Sequence, residues 1–595
     1  MKILLAAVNA KYIHSNLAVY SLKAYAQSQM AEQKMEETDI VIREYTINQT
    51  VDSILQDVYR QKPDMICFSC YLWNISYIDL LLTELPKILP NAEIWLGGPE
   101  VSYDAIETLE KYPAVRGIMC GEGEQTFTEL LSLYEKTGKV NRENISKLLS
   151  NIQGIAYRAI DGEVVQTDVR PIMDLSEVPF VYDHIEDFEN RIIYYESSRG
   201  CPFSCSYCLS SIDKCLRFRR LDLVKKELQF FIDHKVPQVK FVDRTFNCKH
   251  DHAMAIWTYI SEHDNGVTNF HFEVSADLLN DEEIELIQNM RPGLLQLEIG
   301  VQSTNEKTIR EINRTMKLEK LEEIVARIHK NGNVHQHLDL IAGLPYEDYT
   351  SFGRSFDRVY GMKPEQLQLG FLKVLKGSVM HEKAKEYGIS YQNRPPYEVL
   401  STNWITYSDV IRLKQIEEMV EVYYNSGQFR NTVELLATEF ESPFQMYEHL
   451  ALYYEKNHAF EMSHSRIRRY EILHEFINEI VQVKDSVPAS EKQTIEERLE
   501  QYRERLTLDL YLRDNVKNRP EFLGENKVSQ AEATRFYQTE EAERNYLVGY
   551  EAYDKRQMRK MTHLEKIGGY YYLFDYRNRN PLTSDAFTYK IPIMD

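Results

Sequence analysis

Short apolar, β-rich runs alternating with amphipathic stretches constrain this 595-residue chain more than any other feature. In the first 140 residues the runs are Lys2 to Asn9, Asp64 to Cys70, Glu93 to Leu96 and Arg116 to Cys120, each closing on a polar or glycine-rich turn. That pattern predicts a parallel α/β sheet, in which ligands sit at the carboxyl ends of the strands. A polar stretch from about 140 to 190 follows, with Asp161-Gly162 as a hairpin turn. Six more strand candidates come at intervals suited to β/α units: Ile192 to Ser197, Val239 to Asp243, Phe270 to Ser275, Leu294 to Val301, His335 to Ile341 and Gln366 to Leu372. Between them apolar residues return at helical spacing, as in Leu223-Val224-Leu228-Phe231. Six such units predict a partial barrel. From about residue 403 the β-rich runs give way to charged amphipathic segments: Leu413-Ile416-Val420-Tyr423 forms a helical stripe, and Gly427 stands at a C-cap position.

The expected organisation is α/β: a doubly wound Rossmann-like domain over 1–140, a linker with short strands over 141–190, a partial (β/α)6 barrel over 191–402 and a mostly α-helical domain over 403–595. A chain of this length exceeds what one hydrophobic core supports. At 43% hydrophobic and 27% charged residues the composition is that of a globular protein, and no apolar run approaches the ~20 residues that span a bilayer. Met1-Lys2 leads straight into the apolar run Ile3 to Val8, which reads as a first strand instead of a cleavable leader, so a cytoplasmic location without membrane attachment is expected. The net charge of −21 argues against nucleic acid as a partner, which needs a basic face, and the runs Arg217 to Arg220 and Arg466 to Arg469 read as solvated helix faces.

Three of the eight cysteines lie in Arg199-Gly200-Cys201-Pro-Phe-Ser-Cys205-Ser-Tyr-Cys208, spaced C-x3-C-x2-C. Three thiolates on one tight loop can ligate three irons of a cubane and leave the fourth open to a non-protein ligand. A zinc knuckle would want a fourth Cys or His in a closed tetrahedral set, and Cys215 breaks the pairwise pattern. With Tyr207 before the last cysteine and a Gly-Cys-Pro turn after an apolar strand, the segment resembles the signature of the radical S-adenosylmethionine enzymes. In that family the cluster reduces S-adenosylmethionine to a 5′-deoxyadenosyl radical, with Cys201, Cys205 and Cys208 here as the implied ligands.

Later strand ends extend the resemblance: Phe241 to Phe246, Phe272 to Ala276, Leu297 to Ser303 and Asp339 to Pro345. By position the resemblance implies Glu298 and Gln302 as ribose or methionine contacts, Glu273 as a polar partner of the cofactor, and Gly343 with Tyr207 around the adenine. The competing reading of both glutamates is an ion pair inside a barrel, whose interior side chains fill in any case.

The first domain resembles the cobalamin-binding domain fused ahead of such barrels. Cobalamin proteins with an Asp-x-His-x-x-Gly loop use the histidine on cobalt; here His14 falls in register while Tyr12 replaces the aspartate and Leu17 the glycine. Ser69, then Gly97-Gly98, then Gly121-Glu122-Gly123-Glu124 close the following strands, and glycines there let backbone approach a flat ligand. The implied cofactors are a 4Fe-4S cluster, S-adenosylmethionine and cobalamin. The implied activity is methyl transfer to an unactivated carbon of a small-molecule or peptide substrate, with a low-potential donor such as flavodoxin or ferredoxin. Radical rearrangement or cyclisation, RNA methylthiolation and a non-enzymatic sensor remain the alternatives.

Overall fold

The computed structural model describes residues 1–33, 38–137, 142–212, 214–484, 494–525 and 527–592. The chain divides into two compact units, one of Met1–Ile328 with Gly343–Glu347 and Phe371–Thr406, the other of His329–Ala342 with Asp348–Gly370 and Tyr407–Asp595.

The first unit opens with β1 (Lys2–Asn9), β2 (Asp39–Thr46), β3 (Met65–Ser69), β4 (Glu93–Gly97) and β5 (Val115–Met119), continued by β6 (Ile155–Arg158) and β7 (Val164–Gln166). They form one sheet in the order β2-β1-β3-β4-β5-β6-β7, parallel through β5 and antiparallel beyond it. Every residue from Ile3 to Val8 is fully buried. Leu4, Ala6 and Val8 pack into one core and Ile3, Leu5 and Ala7 into another, as period-2 alternation requires of a strand covered on both faces. The expected turn at Asp161-Gly162 joins β6 to β7, so the stretch after residue 150 extends this sheet. The sequence reading did not include β2. Its charges Asp39, Arg43 and Glu44 and its half-buried face blur the apolar signal that marked its neighbours.

All six expected barrel strands form. In the first unit β8 (Ile193–Tyr195) is followed by a short hairpin of β9 (Ser198–Arg199) and β10 (Arg217–Phe218), then by β11 (Gln238–Phe241), β12 (Asn269–Val274) and β13 (Leu295–Gln302). β8, β11, β12 and β13 lie side by side and parallel, with Tyr194 opposite Lys240, Lys240 opposite His271, and Glu273 opposite Glu298. Helices Leu221–Asp233, His250–Glu262 and Asp281–Gln288 make the return connections. The last of these is closed by a capping box between Asn280 and Glu283, which satisfies backbone donors at its start.

The second unit contains β14 (His335–Ala342) and all of β15 (Gln366–Phe371) but its last residue, the fifth and sixth expected strands. β16 (Ser390–Tyr391) and β17 (Val399–Ser401) form a small antiparallel pair in the first unit. Most of the second unit is helical, as expected. The predicted stripe buries Leu413, Ile416 and Val420 and runs through a π turn to Tyr423, and Gly427 adopts φ +63° beyond it. Tyr423 meets Tyr454 hydroxyl to hydroxyl at 2.6 Å, and Tyr470 donates to the Gln428 carbonyl at 2.8 Å, so these buried phenols keep hydrogen-bond partners. The unit closes in an antiparallel sheet of β18 (Thr562–Ile567), β19 (Tyr570–Arg579) and β20 (Ala586–Pro592), which helical spacing did not reveal.

Candidate cofactor site

The cysteine loop hangs from the β9–β10 hairpin, in which Arg199 stands opposite Arg217 and Ser198 opposite Phe218. Gly200 turns the chain at φ +96°, where a Cβ would meet the Cys215 carbonyl oxygen at 2.8 Å. No other residue fits there without displacing backbone. Cys201 and Cys205 are buried and Cys208 is half-buried, whereas Cys215 is exposed. The Ser211 hydroxyl donates to the carbonyls of Cys205 and Cys208 at 2.9 and 2.6 Å, and Ser206 N–H donates to the Ile312 carbonyl at 2.9 Å. Burial pushes the Cys201 thiol up, and Thr245 Oγ1 lies 3.9 Å from its sulfur. A metal cation would reverse that shift by favouring the thiolate.

The stem of this loop is anchored by Asp243, which is fully buried at the end of β11. It accepts from Ser197 N–H at 2.9 Å and from the hydroxyls of Ser197 and Ser198 at 2.6 Å each. Sequence reading placed a polar strand end here without assigning this clamp.

Beside the loop, Arg314 points its guanidinium at the sequence-predicted Tyr207, with Nη1 at 3.3 Å from the hydroxyl and 3.9 Å from Cys205 Sγ. It also bonds the Gly300 carbonyl. Gln302 takes φ +72° at the end of β13, an uncommon conformation for a residue with a side chain. Gln302 Oε1 and Arg314 Nε are buried with no hydrogen-bond partner among the described residues. An acceptor and a donor left open in a buried place fit a polar ligand carrying amino, carboxylate or hydroxyl groups, as S-adenosylmethionine does. Arg314 was missed because a lone arginine after a helix carries no spacing signal.

The predicted carboxylates are both paired. Glu298 accepts from His271 Nε2 at 2.9 Å and Lys240 Nζ at 3.1 Å. Burial alone would raise its carboxyl, but the His271 hydrogen bond and the Lys240 ammonium outweigh burial and hold it at about 2. Glu273 faces Arg244 at 3.4 Å; burial dominates there, so its carboxyl lies above the ordinary range. Gly343 adopts φ +91°, and a Cβ on it would meet Val399 Cγ1 at 2.8 Å.

A cavity of about 930 Å³ opens over the carboxyl ends of β1, β3, β4 and β5. Of the predicted residues, His14, Ser69, Gly97, Gly98 and Glu273 line it; Cys201, Cys205, Cys208, Tyr207, Glu298, Gln302 and Gly343 do not. Its wall also takes Lys240, Val242 and Arg244 from the barrel strand ends. Gly98 adopts φ +111°, and a Cβ would lie 2.4 Å from the Cys70 carbonyl oxygen. Ser69 Oγ accepts from Asn16 Nδ2 at 2.8 Å. Tyr71 and Trp73 stack 4.5 Å apart along the wall, offering a flat apolar surface. His14 Nδ1 is hydrogen-bonded to the Tyr194 hydroxyl, and burial, then Lys11 and Lys240, keep the imidazole below its ordinary pKa and so neutral. Tyr12, which stands where the motif would have aspartate, packs against the Arg191 guanidinium instead. Glu44 organises this loop, accepting from Asn9 Nδ2 at 2.9 Å and Asn16 N–H at 2.8 Å. A large, mostly apolar recess with glycine-lined edges fits a corrin-sized ligand.

Comparison with known proteins gives three family matches along the chain: a B12 binding domain over 3–131, the radical SAM superfamily over 195–359, and a protein of unknown function (DUF4080) over 385–580. The first two imply cobalamin, a 4Fe-4S cluster and S-adenosylmethionine. Over 55% of its length the chain is 24% identical to the cobalamin-dependent radical SAM methyltransferase TokK of Streptomyces tokunonensis, covering 50% of that protein. It is 22% identical to an anaerobic magnesium-protoporphyrin IX monomethyl ester cyclase of Rubrivivax gelatinosus, over 55% of this chain and 60% of the other. The chain thus spans about half the length of the curated relatives it matches. The cobalamin-dependent S-adenosylmethionine radical enzyme OxsB superposes with a TM-score of 0.55 at 14% identity, over 85% of this chain and 84% of that one. No helix among the described residues is long and apolar enough to cross a membrane.

Proposed function

We propose, from the premise that this chain is a radical S-adenosylmethionine protein with a cobalamin-binding domain, that it transfers a methyl group to an unactivated carbon of a small-molecule or peptide substrate. One observation carries the reading: the cavity over the first sheet shares its wall with the barrel strand ends at Lys240, Arg244 and Glu273. A cofactor seated on Gly97 and Gly98 would therefore face groups of the barrel, not bulk solvent. Cys201, Cys205 and Cys208 would hold the cluster, Gln302 and Arg314 with Tyr207 the S-adenosylmethionine, and Ser69, Gly97, Gly98 and the Tyr71–Trp73 pair the corrin. When bound, the reduced cluster with S-adenosylmethionine supplies a carbon radical for hydrogen abstraction, and cobalamin supplies a transferable methyl group.

The chain's own residues position and insulate. Gly200 sets the turn that leads into the cysteine loop, and Lys240 and His271 neutralise Glu298, so no lone buried charge is left there. His14 presents a neutral imidazole on the cavity wall, oriented by Tyr194. A low-potential donor such as flavodoxin or ferredoxin would supply the electron in a reducing cytoplasm.

The cyclase relatives favour a second reading, radical rearrangement or cyclisation without methyl transfer. Protein loaded with cluster and cobalamin, incubated anaerobically with a low-potential reductant, trideuteromethyl-labelled S-adenosylmethionine and a metabolite extract, separates the two. Methyl transfer predicts 5′-deoxyadenosine and a metabolite carrying the label. Formation of 5′-deoxyadenosine with no labelled metabolite would move the assignment to the second reading, and no 5′-deoxyadenosine would end both.

A further inference from the structure

Arg199 is a charged residue of the cavity wall that the proposed function leaves unused. It lies two residues ahead of Cys201, yet two of its carboxylate partners come from the turn and helix that follow β5. Nη1 reaches Glu122 Oε1 and Nη2 reaches Glu124 Oε1, each at 2.8 Å and from 77 and 75 residues away in sequence. Only Glu196, at 2.7 and 2.9 Å, is local. Glu122 has further partners: Arg217 bonds the same Oε1, and Met173 N–H donates to Oε2 at 3.0 Å. Because Arg217 stands opposite Arg199 in the β9–β10 hairpin, one glutamate ties both strands of the stem that carries the cysteines.

The side chains are well shielded, Arg199 being 21% and Glu124 7% exposed. Screening that makes surface ion pairs weak is therefore reduced here, and a planar guanidinium fork between carboxylates fixes orientation as well as charge. Glu122 sits in the turn after β5 and Glu124 in the first turn of the helix Gly123–Thr137 that follows, and both line the cavity.

We propose that Glu122 and Glu124, acting through Arg199 and Arg217, are positioning residues for the cysteine loop. The turn and helix start that follow β5 fix the stem from which Cys201, Cys205 and Cys208 project. The inference rests on the proposed function in taking that loop as the cluster site.

The test uses the full chain carrying Glu122→Gln with Glu124→Gln, and separately Arg199→Lys. In cluster-free protein, hydrogen exchange across residues 197–212 should be at least about tenfold faster in both variants, with β1, β3 and β4 protected as in the unaltered chain. After anaerobic reconstitution with iron and sulfide, the electron paramagnetic resonance line shape of the reduced cluster, or its shift on adding S-adenosylmethionine, should change while bound cobalamin does not. Exchange and spectra equal to those of the unaltered chain overturn the proposal. Should the double variant lose protection throughout, Glu124→Gln alone must give a smaller local effect, and wild-type exchange in it overturns the proposal as well. If the unaltered chain assembles no cubane, the cluster reading fails, and the exchange measurement still decides whether the glutamates fix the loop.

Discussion

A methyl group on Gly98 would sit 2.4 Å from the Cys70 carbonyl oxygen, and φ +111° is a conformation that side chains other than hydrogen rarely adopt. Gly98→Ala should therefore shift the turn over β4 and lower cobalamin affinity at least about tenfold, as read by retained cobalamin after gel filtration; unchanged retention would remove this turn from the site. Glu298→Gln tests a different residue. It removes the charge that pairs with Lys240 and His271, and loss of hydrogen bonds to a charged group should cost about 1–3 kcal/mol in unfolding free energy. Because the folded carboxyl is held at about 2, below its ordinary 4.5, that stability is present above pH 4.5 and is lost as pH falls toward 2. A Glu298→Gln melting curve with the same acid dependence as the unaltered chain would contradict the pairing. At this scale the cysteine spacing and the strand-end residues Ser69 and Gly98 are local signals that a sequence displays, and Ser69 and Gly98 line the cavity. The roles of Arg314, Asp243 and Glu44 are not displayed in that way, since each acts across a long stretch of chain.

Elements were legible where one physical signal dominated. β1 and β3 are buried on both faces and read as continuous apolar runs, whereas β2 alternates charges with half-buried residues and has no such run. β18, β19 and β20 follow a run of helices among the described residues, and their tyrosines and lysines fit either periodicity. Among the helices, Arg430–Ala437 is joined to Ile495–Arg513 by Asp509, which is buried and accepts from Asn431 N–H at 3.0 Å and from Thr432 N–H and Oγ1 at 2.8 and 2.7 Å. Burial raises its carboxyl to about 6 despite those hydrogen bonds. The folded state thus holds the proton more tightly than the unfolded chain, whose value is 3.8, so this contribution to stability is full below 3.8 and is lost as pH rises through about 6. Asp509→Asn should remove that slope from the melting temperature between about pH 4 and 6. A slope unchanged by the substitution would show that another group produces it.

At the scale of the molecule, one compact unit holds both a cavity over the parallel sheet and the cysteine loop that follows the first barrel strand. Sequence patterning anticipated the α/β fold class and most of its parallel strands because the β/α rhythm is regular. It could not name what the cavity holds besides a flat cofactor, since substrate-facing side chains come from distant segments. The central claim is that Cys201, Cys205 and Cys208 alone ligate a cubane with one open iron. The direct measurement is electron paramagnetic resonance of the anaerobically reconstituted, reduced chain with and without S-adenosylmethionine, repeated for Cys201→Ala, Cys205→Ala and Cys208→Ala. The account predicts a 4Fe-4S signal that changes on adding S-adenosylmethionine and is lost in each variant. A signal indifferent to S-adenosylmethionine, or a full cluster surviving any one substitution, would contradict it.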